Sequence, residues 1–427
     1  MSKEKNNSRR DFLKSSAIAA GVGMTSLRGI APATVLGANE AIRMGVIGTG
    51  DRGSWGLREL KVRGAQIVAV CDLYEERLNR AREASKTDDG KLADAYYEYE
   101  KVLERKDVDG VYIAVPDHWH HDLLIAAVHA GKDAYSEKPF SKTIQEGQEM
   151  VRAVRETKQI VQVGNHRRSG EHFRKAREVI KSGILGKIVF VRVFDTRDWT
   201  KGDPWTAQIK NGIHGRLDWD RFLGKAPKRA FDLYRYFTWR WYWDYAGGLM
   251  TDIGAHMLDV NQWLMDVDGP QSAVANGGNY LFPHWETPDV VHAVLDYGKF
   301  STVFTVQFVN DHDNVASYFY GSEGTLVVDE LKNEVRVYPQ GEKKYEAIET
   351  WPTKYEGGDH VANFLECVKS RKEPNSPVEV GHKVITAAHL ANISYRTGKR
   401  INWDPEREEI IEVRRTQPSD AWFKSMF

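Results

Sequence analysis

The stretch from residue 41 to residue 72 constrains the fold of this chain more than any other. A short apolar run leads into the glycine-rich turn of residues 48–53, with the sequence GTGDRG, and a helical pattern of apolar residues follows. A second apolar run ends at Asp72, nineteen residues after Gly53. A strand, a glycine turn, a helix and a second strand ending in an acid are typical of a dinucleotide-binding βαβ unit.

The turn has the residues that a pyrophosphate-binding turn needs. Gly48 permits the tight turn, Gly50 lets the backbone approach a pyrophosphate, and Gly53 lets the helix pack closely on the strand. The helix N-terminus adds amide donors and the positive end of its dipole. A carboxylate at the end of the second strand accepts from both ribose hydroxyls and repels a 2′-phosphate, so we expect NAD, with NADP less favoured. The expected nucleotide-binding residues here are Gly48, Thr49, Gly50, Asp51, Arg52, Gly53 and Asp72.

Length and composition set further limits. At 427 residues the chain is too long for one ordinary core, so two domains are expected. The formal net charge is zero, which argues against a nucleic acid or an anionic membrane as a partner. Cys71 and Cys367 lie in apolar patterns and make no disulfide framework. No apolar run reaches the roughly 18 residues that span a bilayer, so no membrane insertion is expected.

The first 33 residues predict an export signal. The sequence SRRDFLK at residues 8–14 precedes a mildly apolar segment, and Ala31-Pro32-Ala33 follows as a cleavage site. This pattern resembles a twin-arginine signal, and the alternative is a disordered basic tail. The twin-arginine route carries folded proteins, often with a cofactor already bound. Because free NAD is a cytoplasmic metabolite, we expect a periplasmic or otherwise exported protein that holds its nucleotide tightly.

The rest of the nucleotide-binding domain, predicted to span residues 41–165, alternates strands and helices. The buried strand at residues 109–115 ends in the sequence PDHWHH, where ligands bind in open α/β sheets. The adjacent His120 and His121 point apart on a helix and no Cys or acid completes a ligand set, so no metal is predicted. Instead, His120 is expected to face a ligand or cap the helix. The next strand ends in the sequence Glu-Lys-Pro at residues 137–139.

Four motifs together make the sequence similar to a known family. The glycine turn, the acid after the second strand, Pro116 with a histidine four residues later, and Glu-Lys-Pro resemble the family of glucose-fructose oxidoreductase, inositol dehydrogenase and rhizopine-catabolism proteins. The resemblance covers about residues 41–400 and implies that Lys138 lies beside the nicotinamide. Taken alone, a lysine at a strand end would be read as a surface charge. The cofactor site is therefore expected to include Pro116, His120, Glu137 and Lys138.

A second domain of the α+β type is predicted for residues 166–400. Six strand patterns between residues 272 and 338 have no long helices between them, which implies a large, mostly antiparallel sheet. The fold class is thus α/β, a Rossmann domain followed by this α+β domain, and residues 401–427 are predicted to form an irregular tail. The resemblance implies an oligomer interface on one sheet face, so a homodimer or homotetramer is expected.

An aromatic-rich excursion is predicted at residues 197–245, where six of the 13 tryptophans fall. Aromatic rings stack on the apolar faces of sugar rings, but such a segment can equally be held together by its own aromatic core. Both interpretations stay open, and both can hold for different residues. The residues expected to contact the substrate are His166 and Arg167, at the crossing into the second domain, with Trp199 and Trp243.

The segment 247–256 supplies a candidate proton-transfer pair. Asp252 and His256 are four residues apart and so share one face of a helix. A carboxylate beside an imidazole fixes its tautomer and raises its basicity. Alone, this spacing is more often a capped or surface pair, but alongside Lys138 it resembles the second signature of the family. We therefore expect Lys138, Asp252 and His256 to be catalytic, and which of Lys138 and His256 is the base stays open.

These features predict an exported NAD-dependent oxidoreductase that acts on a CH–OH group of a sugar, polyol or glycoside. A trapped cofactor needs a closed redox cycle. One possibility couples the oxidation of one sugar to the reduction of another. A second is redox-neutral glycoside cleavage by oxidation, elimination, water addition and reduction, and no residue decides between them. A third alternative, a non-catalytic sugar or nucleotide sensor, would be favoured by loss of the catalytic residues, which are present.

Overall fold

Residues 41–354 and 358–411 are described by a computed structural model, in which they form two β-sheets with helices packed against them. The predicted export signal at residues 1–33 lies outside the described residues, as do residues 412–427 of the predicted tail. Within the described ranges, no helix combines the length and the apolar character that a membrane crossing requires.

The first sheet has six strands in the order β3-β2-β1-β4-β5-β6, and every neighbouring pair is parallel. This is the strand order of the Rossmann fold. Its central strands are buried along almost their whole length, as their continuous apolar runs predict. The strands are β1 (Arg43–Ile47), β2 (Gln66–Cys71), β3 (Asp94–Tyr96), β4 (Gly110–Ile113), β5 (Asp133–Ser136) and β6 (Val161–Val163).

Five α-helices connect these strands: α1 (Asp51–Val62), α2 (Glu75–Ala84), α3 (Tyr99–Leu103), α4 (His120–His129) and α5 (Ile144–Thr157). A capping box fixes the start of α5. The Thr143 side chain accepts from the Glu146 amide, and the Glu146 carboxylate accepts from the Thr143 amide.

The second sheet has ten strands in the order β14-β13-β12-β11-β7-β10-β9-β8-β15-β16. Its neighbouring strands run antiparallel except for the parallel pair of β7 and β10. The strands are β7 (Ile188–Thr196), β8 (Ser272–Gly278), β9 (Val290–Asp296), β10 (Ser301–Gln307), β11 (Val315–Gly321), β12 (Gly324–Asp329), β13 (Glu334–Pro339), β14 (Glu349–Pro352), β15 (Ile401–Asp404) and β16 (Glu409–Ile411). The predicted α/β class, a Rossmann domain followed by a domain with a large, mostly antiparallel sheet, is confirmed.

Residues 401–411 differ from the irregular tail that the sequence suggested. Ile401 and Trp403 are buried and alternate with half-buried residues, so β15 pairs with the edge of β8 and β16 pairs with β15. Period-two burial of two large apolar side chains is enough to extend the sheet.

The helices of the second domain are α6 (Glu171–Lys181), α7 (Trp219–Leu223), α8 (Leu233–Phe237), α9 (Gly248–Asp252), α10 (Gly254–Met265), α11 (Gly358–Ser370) and α12 (Val378–Thr397). Helix α12 contacts β8 and α10 of its own domain and also α5 of the Rossmann domain. Helix α11 contacts α1. These two helices therefore pack the two domains together.

Candidate active site

The glycine turn has the backbone that its sequence predicts. Gly48 has a φ of +81°, and a Cβ there would lie 2.3 Å from the carbonyl oxygen of Ala114. A Cβ on Gly53 would lie 1.8 Å from the Gly48 carbonyl oxygen, so only glycine lets α1 start this close to β1. At Gly50, by contrast, a Cβ would meet nothing nearer than the Arg77 guanidinium at 3.5 Å. The turn is closed towards the sheet and open towards the cleft.

Asp72 ties this turn to the end of β2. Its Oδ2 accepts from the Thr49 amide at 2.7 Å and from the Thr49 hydroxyl at 3.0 Å, and its Oδ1 accepts from the Tyr74 amide at 2.9 Å. The carboxylate is almost completely buried and lines the cleft beside Gly48 and Gly50. It thus stands where a Rossmann fold holds the adenosine ribose.

Arg52 provides a test of whether this cleft suits a nucleotide. Its Nε donates to Glu137 Oε1 at 2.6 Å, and the same oxygen accepts from the Tyr112 hydroxyl at 2.5 Å. Its Nη2, however, is buried and has no hydrogen-bond partner among the described residues. A buried guanidinium nitrogen requires an acceptor, and an oxygen of a bound nucleotide would supply one. Together with the open face of the glycine turn, this donor fits a dinucleotide.

The space bounded by the walls of the cleft is about 1320 Å³ when the part that is open to solvent is included. Both domains contribute to its walls. The Rossmann domain supplies the glycine turn, Asp72, Arg77, Pro116, Glu137 and Lys138, and the second domain supplies Trp205, Gln208, Trp239, Arg240 and Asp252.

Lys138 and Asp252 meet across this cleft. The Lys138 Nζ donates to Asp252 Oδ1 at 2.7 Å and lies 3.2 Å from the Asp252 carbonyl oxygen, and both side chains are about 15% exposed. Burial by itself raises the pKa of Asp252, but the positive charges of Lys138 and Arg240 outweigh it and hold this pKa below its usual value. The Asp252 carboxylate is therefore ionised at neutral pH and holds the Lys138 side chain at the cleft wall.

Arg240 was not anticipated from the sequence. Its guanidinium lies between the indole rings of Trp205 and Trp239, 4.3 Å from each ring centre, and its Nε is 3.8 Å from Asp252 Oδ1. The Nε is buried and makes no hydrogen bond to a described residue. Stacking thus fixes a planar set of donors at the same end of the cleft as Lys138. The alternation Trp-Arg-Trp at residues 239–241 was the available signal, although the second stacking partner is distant in sequence.

His256 lies in a different setting from the one expected. Helix α9 ends at Asp252 and α10 begins at Gly254, so Asp252 and His256 do not share one continuous helix, and they form no hydrogen bond within the described part of the chain. The His256 ring instead packs edge-on against His166, with ring centres 4.8 Å apart. Burial and the nearby charge of Lys138 hold the pKa of His256 well below its usual value. The imidazole is therefore neutral, and its buried Nδ1 makes no hydrogen bond to a described residue.

The remaining predicted site residues differ in whether they line the cleft. Pro116 lines the cleft, whereas the ring nitrogens of His120 lie 2.6 Å and 2.9 Å from the carbonyl oxygens of Pro139 and Val115. Arg167 is buried, with its Nε 3.1 Å from Glu330 Oε2.

The two tryptophans chosen as substrate residues lie outside the cleft lining. Trp199 packs on Phe308 with ring centres 4.1 Å apart, inside the aromatic core of the excursion. Trp243 donates from its Nε1 to the carbonyl oxygen of Glu286. Of the tryptophans in this excursion, Trp205 and Trp239 line the cleft, and sugar stacking by any of them stays a prediction.

Two family models match the chain. Residues 42–165 match the oxidoreductase family with an NAD-binding Rossmann fold, and residues 169–418 match the C-terminal alpha/beta domain of the same oxidoreductase family. The chain belongs to this family. The expected family and the expected cofactor, NAD, are confirmed.

Two relatives and one solved structure are similar to the chain. A glycosyl hydrolase family 109 protein of Saccharopolyspora erythraea is 34% identical over 252 residues, which cover 52% of this chain and 54% of that protein. The scyllo-inositol 2-dehydrogenase (NAD(+)) of Bacillus subtilis is 25% identical over 378 residues, 86% of this chain and 97% of that protein. The fold of levoglucosan dehydrogenase, solved with NADH and levoglucosan, superposes with a TM-score of 0.68 at 17% identity and covers 85% of this chain and 99% of that one.

Proposed function

We propose that this chain is an exported NAD-dependent oxidoreductase that oxidises a CH–OH group of a sugar, polyol or glycoside and retains its cofactor between turnovers. The observation that carries the proposal is the ion pair of Lys138 and Asp252, which lines the same cleft as the glycine turn. The relatives support the substrate class, because their names include an inositol dehydrogenase and a levoglucosan dehydrogenase. The twin-arginine pattern of the first 33 residues supports export.

NAD would be held by the glycine turn, by Asp72 and by the buried Nη2 of Arg52, with Pro116, Glu137 and Lys138 towards the nicotinamide. When bound, it would supply the acceptor for the hydride that leaves the substrate carbon, and a second sugar, reduced in the same site, would take up that hydride and regenerate the retained NAD. The protein contributes alignment, because both domains form the walls of one cleft and fix the substrate against the nucleotide.

The substrate hydroxyl would lie between Lys138 and His256. The Lys138 ammonium, held by Asp252, donates a hydrogen bond to the oxygen and stabilises the negative charge that develops as its proton leaves. His256, which burial and the nearby charge of Lys138 keep neutral, would accept the proton that this hydroxyl loses. Arg240 donates to further oxygens of the sugar, and the indoles of Trp205 and Trp239 add apolar surface.

Substitution at the two candidate proton-transfer residues tests this assignment. In Lys138→Ala and His256→Ala we expect turnover to fall by about 100-fold or more, because a positioned acid or base contributes that much to the rate. Nucleotide binding should persist in both. Lys210→Ala, on the exposed side of a helix that borders the cleft, is the matched control. Unchanged turnover in both variants would overturn the assignment.

A second candidate function is redox-neutral cleavage of a glycoside. It is favoured by the 34% identity to a glycosyl hydrolase family 109 protein. In this cycle a hydroxyl is oxidised to a ketone, the acidified neighbouring C–H loses its proton as the glycosidic oxygen departs, water adds, and the ketone is reduced back by the same hydride. Turnover in D₂O distinguishes the two functions. Glycoside cleavage without added electron acceptor places deuterium on the carbon beside the oxidised one, whereas an oxidoreductase that is given no second sugar to reduce forms one equivalent of bound NADH and stops.

Export and retention are tested on the mature protein. After purification from the periplasmic fraction and extensive dialysis, the protein is denatured and its released nucleotide is identified by absorbance and mass. Near-stoichiometric NAD(H) supports retention. A protein that is found only in the cytoplasm, or that is empty and binds added NAD weakly, would remove export or retention from the proposal.

A further inference from the structure

We propose that residues 203–218 of the second domain, which we name the strap, close the cleft over the adenosine diphosphate half of NAD, and that Gln208 is the strap residue that joins the nucleotide site. The family model assigns NAD binding to residues 42–165, so this contribution comes from outside the assigned domain. The inference deepens the proposed retention of the cofactor and depends on NAD binding in this cleft.

The strap is anchored to its own domain at its first residue. Asp203 is buried, and its Oδ2 accepts from Trp241 Nε1 at 2.6 Å, while its Oδ1 accepts from the Trp205 amide at 2.9 Å. Trp241 is completely buried and stacks on Trp285 with ring centres 3.9 Å apart. The start of the strap is thus fixed to the aromatic core of the excursion.

The end of the strap is bound to the loop that follows Asp72. The Glu75 amide donates to the Arg216 carbonyl oxygen at 2.9 Å, and the Arg216 amide donates to the Glu75 carboxylate at 2.7 Å. The Asp218 amide donates to the Leu73 carbonyl oxygen at 3.1 Å. Loop residues directly after the ribose-binding acid flank the adenosine in a Rossmann fold. The strap therefore runs along the adenosine side of the cleft.

Gln208 bridges the two walls between these anchors. Its Oε1 accepts from Arg77 Nη2 at 3.0 Å, and its Nε2 lies 3.5 Å from Asp51 Oδ2. Asp51 begins α1 directly after the glycine turn, and all three residues line the cleft. Because the Arg77 guanidinium is also the atom group nearest the open face of Gly50, Gln208 lies across the path by which a pyrophosphate would leave.

These contacts make a simple kinetic prediction. Nucleotide can leave only when the strap separates from the loop at residues 73–77 or when the Gln208 bridge opens. Gln208→Ala removes the bridge and leaves the anchors intact. Tyr74→Phe removes the hydroxyl that accepts from the His214 amide at 3.0 Å, so it weakens the anchor and leaves the bridge intact. Lys210→Ala, in the same helix but pointing to solvent, is the control.

The experiment loads the full-length mature protein with radiolabelled NAD, adds excess unlabelled NAD, and follows release of the label. We expect Gln208→Ala and Tyr74→Phe to release NAD about five- to tenfold faster than wild type, the factor for loss of one hydrogen bond of about 1 kcal/mol. Lys210→Ala should match wild type. Binding of ADP-ribose, which lacks nicotinamide, should weaken by the same factor in Gln208→Ala, since the contact lies at the adenosine diphosphate end.

If Gln208→Ala and Tyr74→Phe released NAD at the same rate as Lys210→Ala, the proposed role of the strap would be wrong. Unchanged ADP-ribose affinity in Gln208→Ala would also contradict it. Melting temperatures identify any variant that has lost its fold. If one of the two variants has done so, the NAD release rate of the other variant tests the strap. The proposed retention is judged separately, on wild type alone. A wild type that loses NAD during dialysis would overturn retention, while the ratio of release rates still decides the strap.

Discussion

The indole rings of Trp205 and Trp239 hold the guanidinium of Arg240 at the Lys138 end of the cleft, 3.8 Å from Asp252. Arg240→Lys keeps the charge but loses the planar group that stacks, because an ammonium on a flexible stem is not held between two rings. We expect kcat/KM to fall by about 10- to 100-fold, the loss of one or two charge-assisted hydrogen bonds in the transition state, with NAD affinity unchanged. Steady-state kinetics and NAD titration measure both quantities.

The control for Arg240→Lys is Arg192→Lys. Arg192 also covers an aromatic ring, that of Phe194 at 5.0 Å, but it lies on β7 in the large sheet and outside the cleft lining. Equal values of kcat/KM for Arg240→Lys and wild type would show that Arg240 serves packing alone.

Asp117 makes folding stability depend on pH. Burial and the charge of Asp252 raise the pKa of this carboxyl to about 7 in the folded chain, from 3.8 as the reference value. The folded state therefore holds the proton more tightly, so its contribution to stability is greatest at acidic pH and is lost as pH rises towards 7. Asp117→Asn should abolish this loss, which we place at about 3 kcal/mol between pH 5 and pH 8.

Denaturant unfolding of wild type and Asp117→Asn at the two pH values measures this difference. Asp88→Asn, at an exposed position, should change neither curve. Identical pH dependence in wild type and Asp117→Asn would show that this carboxyl is ionised in the fold throughout the range.

At the residue scale, the sequence was informative where chemistry follows local spacing. The glycine turn and Asp72 are separated by one βα unit, so their proximity follows from the motif. Trp205 and Arg240 meet only through the folding of an irregular excursion, and no periodicity encodes that contact. The break between α9 and α10 was also not encoded in spacing, so Asp252 was expected beside His256 and lies beside Lys138. The catalytic roles of these three residues stay predictions.

At the scale of elements, the close contact between α1 and β1 requires that residue 53 has no Cβ. In Gly53→Ala the new Cβ would lie 1.8 Å from the backbone oxygen of Gly48, which cannot move without opening the turn. We expect a loss of about 1–3 kcal/mol in the free energy of unfolding, typical of overpacking, together with weaker NAD binding. Denaturant unfolding and NAD titration measure the two effects.

Gly269→Ala is the matched control, because a Cβ there has no neighbour within 4 Å. It should leave stability and NAD binding close to wild type. If Gly53→Ala bound NAD as wild type does, the turn would not be the part of the cleft that holds the nucleotide.

The long elements of both sheets were predictable, because runs of five or more residues with buried or alternating apolar side chains have a clear period. The short strands β3 and β14 to β16 were missed. Each has three or four residues, which is too few for a period to stand out, and their pairing depends on an edge that the rest of the fold supplies.

At the scale of the whole molecule, the open face of the ten-stranded sheet is the surface for a self-association that we propose. Val274, Val294 and Val303 are paired neighbours in one row across β8, β9 and β10, and the first two are almost half exposed. An apolar row on a broad sheet suits an isologous contact. Val294→Asp should convert a dimer or tetramer to a smaller species, measured by light scattering or sedimentation. Val62→Asp, at an exposed valine on α1, should not. A monomeric wild type would contradict the proposal.

The stacked arrangement of Trp205, Arg240 and Trp239 also has an optical consequence. Indole emission overlaps the absorption of reduced nicotinamide, and three tryptophans, Trp119, Trp205 and Trp239, line the cleft in which we propose that the nucleotide binds. Energy transfer from these indoles to NADH would make the fluorescence of the protein report the redox state of its nucleotide. In a closed cycle, nicotinamide fluorescence would rise briefly in each turnover and then fall as the hydride is returned. In a one-way oxidation, the bound NADH would persist and its fluorescence would stay high.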